Sequence, residues 1–200
     1  QSQPICYLSA SALKCLLLAK KIAQDPVNET KVFTPVKYPE LREKKLNVLG
    51  AIFHYLGHLK GSTADTTQQI FYYLEAIKFW KETSNYPSFA IVNMNLGSVY
   101  LELGKIDSAL QLEQTALDIM LKGKNSKTYI GSVYRRTGDI YMKKGDKEKA
   151  MEHWHQAILW SGKYNHQANL GLTCGNLSLF YFDEKNKDSS LYYAKKHLAV

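Results

Sequence analysis

LGSVYLELGKIDSALQLEQTAL, residues Leu96 to Leu117, carries the pattern that decides the fold. Its apolar residues recur at helical spacing on either side of Gly104, so the stretch predicts a helix, a tight turn at that glycine, and a second helix. Forty-one residues on, Thr137 to Ile158 (TGDIYMKKGDKEKAMEHWHQAI) carries the same skeleton. A glycine (Gly97, Gly138) is followed by a tyrosine three later and a turn glycine four after that. Then come alanine, a bulky residue and alanine, at Ala109 and Ala116 in the first stretch and Ala150, Trp154 and Ala157 in the second. A helix pair of this kind has an apolar stripe that it cannot bury alone, so neighbouring pairs must complete the core.

Weaker copies lie on both sides. Upstream, Leu49-Gly50 and Phe53 head a unit whose second helix carries Tyr73, Ala76 and Phe79. Between its two helices GHLKGSTADT reads as a polar insertion that loops out, ending the first helix near Leu59. Downstream, Leu177-Ser178-Leu179-Phe180-Tyr181 replaces the Leu-Gly-x-x-Tyr core, while Ser190 and His197 hold the alanine places. The turn there has no glycine, and Asn186 is the residue expected to take its left-handed conformation. Equivalent positions are 47, 41 and 40 residues apart.

The skeleton resembles the tetratricopeptide repeat, whose pattern runs Leu-Gly-x-x-Tyr, Ala-x-x-x-Phe and Ala with a period of about 34 residues. The longer spacing here resembles arrays in kinesin light chains, peptide-pheromone receptors and bacterial sensor proteins. The expected fold is all-α, a right-handed α-α superhelix of about four helix pairs preceded by one further helix. The repeats are expected at 41–82, 88–121, 126–161 and 166–200, within one array over 1–200. Residues 5–24, with Ala12, Leu16 and Ala19 at second-helix spacing, predict an orphan or capping helix. Residues 25–40, containing Pro26, Pro35 and Pro39, predict a loop leading into the first turn of the next helix. Asn28-Glu29-Thr30 within it is formally a glycosylation sequon.

Composition narrows function by exclusion. The net charge is +8, but the lysines are scattered over helix ends and turns, which describes a solvated surface rather than a nucleic-acid groove. Three cysteines, Cys6, Cys15 and Cys174, form no Cys-x-x-Cys unit and read as free thiols on helices. The run Leu16 to Ala19 is too short to span a bilayer, so no membrane segment is expected in this chain. The start at Gln1 suggests a processed chain or part of a longer protein. No phosphate-binding loop, dinucleotide fingerprint or nucleophile elbow occurs, so no enzyme and no cofactor are expected. His54 and His58 lie one helical turn apart, a spacing that can ligate zinc. They lack an adjacent glutamate and an evident third ligand, so they are read as surface or groove histidines and no metal is expected.

The resemblance implies where a partner would sit. In the family the concave face is lined by the first helix of each pair, which here implies Asn47, Ala51, His54 and Tyr55 from the first unit. It implies Met94, Ser98, Leu101 and Glu102 from the second, and Arg135, Asp139, Met142 and Lys143 from the third. Leu179, Phe182 and Asp183 follow from the fourth. That mixture suits an extended peptide or a helix. The paired Asn and Lys of a chaperone-tail clamp are missing, because Asn47, Ala51, Met94 and Ser98 occupy those places. The expected function is a non-catalytic scaffold for a protein or peptide. The resemblance suggests the extracytoplasmic, periplasmic sensor or interaction region of a membrane-anchored bacterial signalling protein. A cytoplasmic pheromone receptor or assembly scaffold is the alternative. A third reading is a glycan-binding uptake protein with an aromatic platform drawn from Tyr72, Tyr73, Trp80 and Trp160.

Overall fold

A computed structural model describes residues 5–25, 38–123 and 126–199. The expected loop over residues 25–40, with its sequon, lies largely outside these, as do the side chains of Cys6 and Cys15. Among the described residues there are nine α-helices and no strand. They are α1 (Ile5–Gln24), α2 (Tyr38–Ser62), α3 (Thr66–Trp80), α4 (Tyr86–Glu102), α5 (Ile106–Lys122), α6 (Ile130–Lys144), α7 (Lys147–Lys163), α8 (Gln167–Asp183) and α9 (Lys187–Leu198). The all-α class and the helix-pair organisation thus stand, with one helix, α1, ahead of the pairs. The chain divides into two compact units, residues 1–99 and 100–200, with the boundary inside α4.

In the first unit α2 and α3 pack along each other through glycine-to-aromatic contacts. A Cβ on Gly50 would lie 2.6 Å from the Trp80 indole, and one on Gly57 would lie 2.5 Å from the Tyr73 ring. Phe53 is buried and stacks on Phe79 at 5.4 Å. Trp80, four residues after Ala76, is therefore the aromatic that meets the repeat glycine, rather than Phe79. The expected polar loop is mostly helix. It continues α2 to Ser62 because Gly57 and Gly61, one turn apart, both face α3 and let it approach. Only Thr63 to Asp65 remain as turn, with Ala64 left-handed at φ 57°. Asp65 then caps α3, its carboxylate accepting from the Gln68 amide at 3.2 Å. From Gly50 to Ala76 is 26 residues, against 12 from Gly138 to Ala150, so the inserted residues lengthen the helix pair.

The second unit shows the skeleton in its compact form. A Cβ on Gly138 would lie 2.5 Å from the Trp154 ring and 3.0 Å from the Ala150 carbonyl. Ala109, Ala116, Ala150 and Ala157 are fully buried. The α6–α7 turn is made by Gly145, at φ 87°, and Asp146 caps α7 by accepting from the Lys149 amide at 3.1 Å. In the α8–α9 turn the left-handed residue is Lys185, at φ 59°, not Asn186. Asn186 is the cap of α9, its side-chain oxygen accepting from the Ser189 amide at 3.1 Å. Asparagine suits either role, and here satisfying a free helix N–H takes precedence.

One residue breaks the pattern. The place that Trp154 fills in α7 is held in α5 by Glu113, 1% exposed. Its Oε1 accepts from Arg136 Nε of α6 at 2.8 Å. Its Oε2 has no hydrogen-bond partner among the described residues. Burial raises its carboxyl to about 7, against the attraction of Arg136.

Candidate functional site

The residues expected to line a binding face fall into two groups, one in each unit. In the first unit Tyr55 is 60% exposed, whereas Met94 is only 6% exposed. Asn47 is half-buried, with its side-chain oxygen covered and unpaired among the described residues. His54 belongs to a polar cluster. Its Nε2 lies 3.2 Å from His58 Nε2, and Asn95 Nδ2 lies 2.8 Å from the first and 3.2 Å from the second. Burial, then the neighbouring His58, lowers the His54 pKa to about 4, so the ring is neutral at ordinary pH. Burial also lowers that of His58. Helical spacing identifies the histidine pair, but nothing in the sequence announces that Asn95, thirty-seven residues on, closes it.

In the second unit α6 and α8 present the other group. Arg135 donates through Nε to Asn169 Oδ1 at 3.0 Å and through Nη1 to Asp139 Oδ2 at 2.8 Å. Asp139 Oδ1 accepts from Trp154 Nε1 at 2.8 Å and from Asn176 Nδ2 at 2.5 Å. Burial nonetheless raises the Asp139 pKa, with Arg135 opposing. Three donors thus engage both oxygens of the carboxylate. Beside it, Asp139, Met142, Asn176, Leu179 and Asp183 border an open cleft of about 260 Å³ floored by Trp154 and Phe180. Leu179 and Phe182 project from α8 at 67% and 70% exposure. Lys143 is exposed, and its Nζ donates to the Leu101 carbonyl at 2.9 Å, next to exposed Glu102.

Arg135, Asp139 and Met142 therefore share one surface with Leu179 and Asp183, and Phe182 is on the same helix. Asn176 was missed by sequence reasoning, although it sits three residues before Leu179 on the same helical face. Leu172, 53% exposed and one heptad before Leu179, extends the apolar edge. The aromatic platform of the glycan reading does not form, since Tyr73 and Trp80 are 2% and 3% exposed and belong to the core. No described helix is long and apolar enough to cross a membrane.

Residues 130–164, which span α6 and α7, match the tetratricopeptide repeat family. No curated protein sequence matches the chain. Among solved structures, BtubC (BKLC) from P. vanneervenii is similar at 18% identity and a TM-score of 0.67, over 99% of this chain and 91% of that one. Aspartyl phosphate phosphatase F from Bacillus subtilis is similar at 14% identity and a TM-score of 0.69, over 94% of this chain and 49% of that one. A Rap protein complexed with Competence and Sporulation Factor is similar at 16% identity and a TM-score of 0.62, over 93% and 49%. This chain thus spans about half the length of the last two. At these identities the similarity establishes the fold: a helical repeat of tetratricopeptide type.

Proposed function

Starting from a chain of tetratricopeptide type, we propose that it is a non-catalytic scaffold that binds a peptide or extended protein segment on the α6–α8 face of its second unit. One observation carries the reading: a buttressed carboxylate, Asp139, beside an open cleft edged by exposed Leu179, with exposed Phe182 three residues on along the same helix. Exposed large apolar side chains beside a fixed polar group suit a ligand with apolar anchors and main-chain or amide donors. Similarity to the Rap conjugation gene regulator of the plasmid pLS20 in complex with the Phr* peptide supports a peptide as the ligand class. The wider role we propose is the sensor or interaction region of a larger bacterial signalling protein, placed outside the cytoplasm.

The test is selection of a displayed random-peptide library on the folded protein, followed by titration of the enriched peptides. Leu179→Asp and Phe182→Asp, both at exposed positions, should weaken them more than about tenfold, while Leu159→Asp on the exposed side of α7 should not. An unenriched library, or peptides indifferent to both α8 changes, would rule the site out.

A further inference from the structure

We propose that His54, His58 and Asn95 form a binding site for a divalent transition-metal ion, held by the two imidazole Nε2 atoms and the Asn95 amide oxygen. The histidines stand one turn apart on α2 with their Nε2 atoms 3.2 Å from each other. Two imidazoles binding one ion at about 2.0–2.1 Å hold their nitrogens about 2.9–3.4 Å apart, from square to tetrahedral angles. The pair is already at chelating distance. Asn95, from α4, places its amide nitrogen 2.8 and 3.2 Å from the same two atoms. A half-turn of that amide puts Oδ1 where Nδ2 stands and turns a donor into a ligand.

The surroundings orient the rings for this use. His58 Nδ1 lies 3.3 Å from the Tyr73 hydroxyl, whose oxygen can accept a hydrogen bond from Nδ1–H and so leave the Nε2 lone pair facing the site. His54 packs edge-on against Trp80, with ring centroids 5.5 Å apart, and both Tyr73 and Trp80 are buried. His58 is exposed, so an ion has a way in and open positions remain for water or a ligand's own donor group. Two nitrogens and a neutral oxygen favour Zn²⁺, Ni²⁺ or Cu²⁺ over Mg²⁺ or Ca²⁺. Among the described residues no cluster of three His, Cys, Asp or Glu exists, so the amide is the third protein ligand here.

Calorimetric titration of the whole chain with Zn²⁺ and with Ni²⁺ tests the site. One ion should bind per chain, with affinity falling more than about tenfold in His54→Gln and in His58→Gln. His155→Gln, on α7, should change nothing. Asn95→Asp, which supplies an anionic oxygen at the same place, should tighten binding. Should His54→Gln fail to fold, the exposed His58→Gln and the Asn95→Asp variant decide. Affinity and stoichiometry unchanged in His58→Gln overturn the site, and Asn95→Asp binding no tighter than the parent removes Asn95 as a ligand.

Discussion

Ser178 and Ser190 hold α8 and α9 together by a reciprocal clasp, each hydroxyl donating to the other's main-chain carbonyl at 3.0 Å. In the preceding helix pair the same two places are Gly138 and Ala150, which meet by close approach. One hairpin is joined by shape and the next by hydrogen bonds. A second polar contact reinforces the clasp: the His197 ring nitrogen Nδ1 lies 2.7 Å from the Gly171 carbonyl.

Removing one half of the clasp is therefore expected to be measurable. Ser178→Ala and Ser190→Ala each delete one hydroxyl donor and should cost about 0.5–1.5 kcal/mol in urea unfolding. The two residues touch, so the loss in the double variant should depart from the sum of the single losses by about 0.5 kcal/mol or more. A double variant as stable as the parent would mean that packing alone joins these helices.

Glycine substitutions should divide by what a Cβ would meet. Gly138→Ala drives a methyl into the Trp154 ring and the Ala150 carbonyl, and should destabilise by about 1–3 kcal/mol. Gly162→Ala, exposed near the end of α7 with open space around it, should stabilise by up to about 1 kcal/mol. Thermal melts of the two variants should shift in opposite directions. Equal shifts would contradict the helix register described for this unit.

Lys185 holds a left-handed backbone conformation that costs a side-chain-bearing residue about 1 kcal/mol. Lys185→Gly relieves it, although the glycine also loosens the unfolded chain, so a gain of up to about 1 kcal/mol is expected. The change should raise the melting temperature; a fall would show that the lysine side chain has a role beyond the turn.

Glu113 should leave a signature in pH titrations of stability. Its folded pKa of about 7 lies above the ordinary 4.5, so between those values the folded chain holds a proton that the unfolded chain has released. Stability from this group is then full below about 4.5 and declines as pH rises towards 7. Glu113→Gln should flatten that decline, so the stability of the variant relative to the parent should rise from pH 5 to pH 7 and level off above. Parallel curves across that range would show that the carboxyl is charged throughout.

The helix pairs were legible because their signals are local. A glycine, a tyrosine three later and alanines on the facing helix report their own packing, and Gly104 and Gly145 mark two turns, both with positive φ. What stayed hidden depends on partners distant in sequence. GHLKGSTADT looks like a loop by composition, and only Tyr73 and Gln69 on α3 explain why a helix passes through its glycines. Glu113 looks like one more solvated carboxylate until Arg136, on the next helix, comes to lie against it. The candidate site divides in the same way. Arg135, Asp139, Phe182 and their neighbours follow from repeat position, while Asn176 and Asn95 join only through contacts that no short-range pattern encodes.

The clasp at Ser178 and Ser190 also has a kinetic consequence. None of the residues of α9 is fully buried, and besides the stacking of Tyr193 on Tyr181 it is held to α8 by this pair of hydrogen bonds, which water can replace on opening. In native-state hydrogen exchange the α9 amides should lose protection ahead of those in α6 and α7, which are fastened by Trp154 lodged on Gly138.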